Sequence, residues 1–415
     1  MTASYSSHTR WYNLIMPVHV TDPLTTDTVT ASLAGNALVI SPRFGESYSF
    51  DCAGRLLALF RDGRSYQRAL DHRLLERLSG RNGPRRRELP PDEAQDLLER
   101  AFASLAALRA ALPRLALSAD DRRQLAAALD KVLAFGPERL AADGAAFRQI
   151  YKPVSILPPD QYLALVLQAT QGCSWNRCTF CGLYRDRTFR ALSADEFRAH
   201  CAAVRDFFGE GISLRRGIFL ADANALVLSM ERLRAIFAIA QEFFGQPEGP
   251  RPVFSFVSAF DVGRKTAAEW AELQALGLRR AYLGLETGDD ALLRFLNKPG
   301  TVADAVEAVH ALRAGGVSVG VILMAGIGGD RFAEAHVTGS VAAIEAMALG
   351  PCDQVYVSTY VSAPGTEYDA LAAAAGIRPL SAAEIEAQRQ ELQARLRAVA
   401  PQTIVAPYHI DGFAL

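Results

Sequence analysis

The chain has 415 residues, half of them hydrophobic, which is enough for one large core and an added smaller region. Lys and Arg total 44 against 45 Asp and Glu, so a formal charge of -1 excludes a global basic field for nucleic acid, though not a local basic groove. The N-terminus lacks the charged start, apolar stretch and small-residue cleavage site of a leader, and nowhere do 18 apolar residues run uninterrupted; a cytoplasmic protein without a membrane partner is expected.

Residues 1–160 are expected to form a mixed, mainly helical extension. Short strands at 37–41 and 46–50 flank Pro42 to Gly45 as a hairpin. Helical spacing then runs through 56–78, 92–112 and 119–135. The basic break Arg81-Asn82-Gly83-Pro84-Arg85-Arg86-Arg87 reads first as a solvated loop beside Gly and Pro, and second as a contact for phosphate or RNA.

From residue 162 the chain alternates apolar strands with amphipathic helices. Strands are predicted at 162–169, 217–220, 253–260, 280–285, 317–324 and 354–360. Capping boxes open three of the helices: Ser193 with Glu196, Thr266 with Glu269, and Ser381 with Glu384. Six β/α units over residues 162–376, short of the roughly 250 residues of a full barrel, predict an α/β fold with an incomplete (β/α)6 barrel. A flat doubly wound sheet is the alternative. The expected organisation is an extension over 1–160, a barrel over 161–380, and a C-terminal helix and tail over 381–415.

The six cysteines do not look like a secreted disulfide framework. Cys52, Cys201 and Cys352 are scattered, whereas Cys173, Cys178 and Cys181 stand as C-x4-C-x2-C within QGCSWNRCTFCGLY. Thiolates so placed suit zinc or an iron–sulfur cluster. Zinc would need a fourth ligand, for which Cys201 or His200 is nearest. A redox C-x-x-C would leave the third cysteine without a role. The loop leaves the C-terminal end of the first strand, where β/α barrels build their sites. At the same end stand Ala221 to Ala225, where Asp222 or Asn224 could accept a hydrogen bond from an amine or cap a helix. Glu286 ends the fourth strand, where a carboxylate needs a partner and points to ligand binding. Gly326 to Asp330 form a tight turn after the fifth, and Ser362 to Thr366 a cavity wall after the sixth. Tyr184, Tyr356 and Tyr360 suit either the cavity or the core.

In their order, QGCSWNRCTFC, FLADANAL, YLGLETGDDALLRFLNK, GVILMAGIGGD and VSTYVSAPGTEY resemble the radical S-adenosylmethionine (radical SAM) superfamily over residues 151–399. The resemblance implies a 4Fe-4S cluster on Cys173, Cys178 and Cys181, with S-adenosylmethionine chelating the fourth iron. It implies that Phe180 lies by the adenine, that Asp222 and Asn224 belong to the segment binding the methionine amine, that Glu286 binds the ribose or methionine part, and that Gly326 and Gly328 pass the adenine. The activity implied is reductive cleavage of S-adenosylmethionine to start radical chemistry on a small-molecule substrate, in natural-product or cofactor biosynthesis, fed by an electron donor such as flavodoxin or ferredoxin. The first cysteine gap holds four residues where the family commonly has three. A second reading is therefore release of a 3-amino-3-carboxypropyl group to carbon or a soft atom such as arsenic, with methylthioadenosine as by-product; Cys52, Cys201 or Cys352 could bind such an atom at the barrel mouth, or be buried inert thiols. A third is a zinc-stabilised module binding tRNA, against which the balanced charge counts. The N-terminal region and the tail at 408–415 are the available lids. Neither a further cysteine cluster nor the β/α alternation of a separate cobalamin domain is read in the chain.

Overall fold

The computed structural model describes residues 17–34, 36–80 and 83–409. Its first region is an antiparallel meander of eight strands in sequence order: β1 (Val18–Thr21), β2 (Thr28–Ala34), β3 (Ala37–Ser41), β4 (Ser47–Phe50), β5 (Leu56–Arg61), β6 (Arg64–Arg68), β7 (Leu74–Gly80) and β8 (Gly83–Glu88). The expected hairpin is present as β3 and β4, whose alternating residues Leu38, Ile40, Tyr48 and Phe50 are buried.

The helix expected over 56–78 is instead β5, β6 and β7. Leu56 and Leu59 match helical spacing, but Asp62 and Gly63 both take positive φ, at 52° and 74°, and Arg61 pairs with Arg64. That is the two-residue primed turn for which Asp-Gly is the strongest hairpin signal. The arginine run is likewise a strand rather than a loop over Gly83–Glu88, with Arg87 2.8 Å from Glu76; Arg81 and Asn82 lie outside the described residues. Three helices, α1 (Pro91–Ala111), α2 (Ala119–Leu133) and α3 (Pro137–Ile150), complete this region. Leu98, Phe102, Leu105, Leu125 and Leu129 close over the buried face of the meander to make its core.

The second region is built on seven parallel strands. After β9 (Leu165–Gln168), a short antiparallel pair, β10 (Thr170–Gln171) and β11 (Arg190–Ala191), frames the cysteine loop. The sheet continues through β12 (Ile218–Ala221), β13 (Val253–Val257), β14 (Leu278–Glu286), β15 (Ser318–Ala325), β16 (Gln354–Thr359) and β17 (Ile404–Tyr408). All six predicted strands are present. The seventh, β17, corrects the six-unit expectation: it lies in what was read as tail, of which residues 410–415 are outside the described residues. The strands pair strictly in chain order, whereas a doubly wound sheet reverses order at a switch point. One-directional winding puts the crossover helices on one side and the strand ends of every unit on one rim.

Edge strands β9 and β17 do not pair with each other. The segment before β9 spans them instead: Tyr151 donates from Oη to the Val166 carbonyl of β9, and Tyr408 of β17 donates to the Leu157 carbonyl, at 2.8 and 2.7 Å. Asp160 in this segment accepts from Tyr282 at 2.5 Å and from Tyr356 at 2.7 Å, which fixes Tyr356 below the cavity. The predicted capping boxes all form, and Thr301 with Asp304 adds a fourth. No described helix is long and apolar enough to cross a membrane.

The two regions meet at a buried ion network. Arg55 donates to Asp51 and Asp143 at 2.7 and 2.8 Å and to the Phe207 carbonyl of helix α4 (Ala194–Phe208), while Arg68 joins at Asp143. The Arg55 guanidinium also stacks 4.6 Å from the Phe207 ring centroid. Replacing Asp143 by Ala removes the acid shared by two buried guanidinium groups. A loss on the order of 3–5 kcal/mol is expected, read as a lower urea midpoint.

Candidate active site

The cysteine loop is held from three sides. At its start Gly172, at φ +78°, donates its N–H to Asp222 Oδ2 at 3.0 Å, and the other oxygen of Asp222 accepts from Gln168 Nε2 at 3.1 Å. Arg187, beyond the cysteines, reaches Asp222 Oδ2 at 3.3 Å. Burial raises the Asp222 carboxyl above its ordinary range, opposed by these three donors. Asp222 thus spends its oxygens on the loop and does not line the cavity, which corrects its expected place against a bound amine.

The middle of the loop is pinned to helix α5 (Asp290–Phe295). The Thr179 N–H donates to the Leu296 carbonyl at 2.9 Å, and the Trp175 indole to that of Asn297 at 2.8 Å. Asn297 takes φ +51° just past the helix, a position where Asn is tolerated in the left-handed region, and its amide donates to the Arg177 carbonyl. The first cysteine gap contains a second such turn: Asn176, at φ +50°, donates to the Tyr184 carbonyl at 2.8 Å.

These supports bring Cys173, Cys178 and Cys181 to one cavity of about 420 Å³ at the C-terminal ends of the strands. Burial pushes the Cys178 thiol up to about 11 and raises that of Cys181. Among the described residues no three His, Cys, Asp or Glu side chains converge as a single metal ion requires. His200 and Cys201, the zinc ligands considered from sequence, are spent elsewhere. His200 accepts the Gln168 N–H at Nε2, 3.1 Å away, and Cys201 is buried in the core. A cluster, which takes each thiolate on a separate iron, suits the wider spacing.

Asn224, Glu286 and Phe180 line the same cavity. Asn224 donates from Nδ2 to Asp261 at 2.7 Å, while its Oδ1 is buried with no partner. Such an atom costs free energy unless something donates to it. Glu286 is 8% exposed and ends β14 at φ +66°, a strained backbone for a residue with a Cβ. Its Oε1 lies 3.2 Å from Lys298 Nζ, and a Cβ at Gly284 would stand 2.5 Å from that oxygen, so Gly284 keeps the carboxylate's place clear. Burial works against the Lys298 ammonium, but the charges of Glu286 and Cys178 outweigh it and raise its pKa.

Gly326 and Gly328 do not line the cavity. Their N–H groups donate to Gln388 and to Tyr368 Oη, and both are packed behind β15 against Ile385 and Leu292, where a Cβ would collide at 2.9 and 2.8 Å. Tyr184 and Tyr360 line the cavity, as do Ser362 to Pro364 of the turn read over Ser362 to Thr366. Lys298 and Tyr282 line it without having been singled out in the sequence, and Tyr408, the first residue of the tail considered as a lid, lines it too. Among the described residues its first wall residue in chain order is Ile156, near the end of the N-terminal extension, and Cys52, Cys201 and Cys352 are not among its walls.

A family model described as the radical SAM superfamily matches residues 167–338. No curated protein matches the chain. Solved structures similar to it include coproporphyrinogen III oxidase (HemN) from Escherichia coli, at 16% identity over 64% of this chain and 57% of that one, with TM-score 0.44. The radical S-adenosylmethionine methyltransferase TsrM from Kitasatospora setae, with cobalamin and a [4Fe-4S] cluster bound, matches at 16% over 60% and 56%, with TM-score 0.41. The cobalamin-dependent S-adenosylmethionine radical enzyme OxsB matches at 15% over 57% and 32%, with TM-score 0.37. The chain thus spans about a third of the length of OxsB.

Burial lowers the pKa of His200 from 6.5 to about 4, so the imidazole that accepts from Gln168 is neutral when folded. The unfolded chain takes up that proton near pH 6.5 and the folded chain does not, so this contribution to stability is whole above pH 6.5 and declines as pH falls toward 4. Tm is expected to drop over that window, and less steeply in His200→Gln, as scanning calorimetry against pH would read.

Proposed function

We propose that residues 167–338, which match the radical SAM family model, form a radical SAM domain, and that the chain is an enzyme that cleaves S-adenosylmethionine reductively to begin radical chemistry on a small molecule. The family's cofactors are a 4Fe-4S cluster and S-adenosylmethionine. The observation that carries the proposal is the meeting of three thiols, a buried unpartnered amide oxygen and a strand-end carboxylate in one cavity on the rim of a parallel sheet.

When bound, the cluster supplies an electron that breaks a carbon–sulfur bond of the sulfonium and yields a primary carbon radical. Cys173, Cys178 and Cys181 would hold three of its irons. Asn224 Oδ1 would accept from the ammonium of the methionine part, which meets its unsatisfied hydrogen bond. Glu286, oriented by Lys298 and by its left-handed backbone, would take a hydroxyl or ammonium of the same molecule. Phe180 offers a ring for the adenine. Tyr184, Phe256, Ile322 and Met324 wall the rest of the cavity with apolar surface, which keeps water from a reactive radical. In this proposal Phe180 and Asn224 take the roles that the family resemblance implies, while Asp222, Gly326 and Gly328 support the loop and the strand from behind.

The deciding measurement is mass spectrometry of an anaerobic mixture of reconstituted protein, dithionite and S-adenosylmethionine. The expected product is 5′-deoxyadenosine. Methylthioadenosine formed only with reduced cluster would favour aminocarboxypropyl transfer instead. Colourless protein holding one zinc ion would overturn both.

Two variants separate the supports from the ligands. Cys178→Ala is expected to lose the brown absorbance of the reconstituted protein. In Asn224→Ala the cluster spectrum should persist while S-adenosylmethionine binds about tenfold more weakly by calorimetry, the order expected of one lost hydrogen bond to a charged group.

A further inference from the structure

The eight-stranded meander turns one face to helices α1 to α3. The other carries a cavity of about 390 Å³ that shares no residue with the active site. The register lays one row of side chains across it: Ser47 opposite Phe60, Phe60 opposite Ser65, Ser65 opposite Arg77, and Arg77 opposite Arg86. The row therefore ends in two arginines facing each other on adjacent strands, a like-charge pairing that destabilises a sheet.

Nothing in the described structure neutralises them. Among the described residues neither Arg77 nor Arg86 joins an ion pair, and Arg86 Nη1 is buried with no acceptor there. Glu88, the acid on the same face, lies 3.5 Å from Arg73. Glu76 belongs to the opposite face and takes Arg64 and Arg87. Residues 1–16 contain no Asp or Glu, and Asp411 is the one acidic side chain outside the described residues. Burial depresses the Arg86 guanidinium and the charge of Arg77 adds to it, while Tyr162 alone among its neighbours acts the other way. Ordinary surface arginines extend into water; here a guanidinium nitrogen is enclosed in a cavity beside a second cation.

We propose that this cavity binds a phosphate-bearing small molecule, its phosphate held by Arg77 and Arg86 and its polar body lying along the row toward Ser65 and Ser47. Paired guanidinium groups present fork-shaped donors that match the oxygens of a phosphate dianion. A serine hydroxyl both donates and accepts, which suits an uncharged polar body. A spacing of about 4.8 Å between strands makes the row roughly 19 Å long, longer than a phosphate alone. Of the basic run of the sequence, Arg86 lines this cavity from β8.

The test uses the whole protein at low ionic strength, with inorganic phosphate, succinate and sodium chloride compared at equal ionic strength. Phosphate is expected to raise Tm saturably, and the other two to leave it unchanged. An equal response to succinate or chloride, or no saturable response to phosphate, overturns the proposal without recourse to any variant. In Arg77→Gln/Arg86→Gln the phosphate response should vanish, and Tm without phosphate should rise because the repulsion is gone. A double variant that still responds, or that is less stable than the parent without phosphate, assigns the pair a structural role and overturns the site.

Discussion

The buried carboxylate of Asp222 is the contact on which the rest of the active-site architecture depends. It stands where β12 ends, takes Gln168 from the end of β9 and the Gly172 N–H from the root of the cysteine loop, and is met by Arg187 from the loop's far side. Beyond the β10–β11 pair the loop opens with a glycine in the left-handed region and has no ladder of its own. Two charge-assisted hydrogen bonds to one acid supply that register. Burying the acid costs free energy, which its three donors offset, and the result is a rigid base for three thiols whose side chains must be placed together before any metal arrives.

The parallel sheet was largely legible in the sequence because each strand is an apolar run closed by a capped helix, so that periodicity and caps agree. The meander was not. Its strands carry polar residues on the outer face, and Leu56 and Leu59 happen to fall at helical spacing; the signal that could have corrected this was Asp62-Gly63, which demands a hairpin turn. Strand β17 was hidden by Pro407. An edge strand tolerates a proline, since the missing N–H faces away from β16, but that position is known only once the sheet is assembled.

The site divides in the same way. The cysteine spacing marks its own residues, and Glu286 stands out as an acid ending an apolar strand. Lys298 has no such mark. It reaches Glu286 because Asn297 reverses the chain after α5, a tertiary consequence of one backbone angle. Asp222 and Asn224 are two residues apart and look interchangeable in sequence, yet the first braces the loop and the second offers a free oxygen to the cavity. Gly326 and Gly328 needed small size for packing against Ile385 and Leu292, which sequence cannot tell from the close approach of a ligand.

Tyr408 lines the cavity from β17 and is tied by its hydroxyl to Leu157, just before the first strand of the same sheet. The two edges of the site therefore come from positions some 250 residues apart in the chain. During synthesis the cysteines leave the ribosome long before the strand that encloses them, and until it arrives the pocket has no outer wall. Completion of the site is thus a late, long-range event. Its thiols pass through an interval of exposure in which a reducing environment, rather than the fold, must protect them.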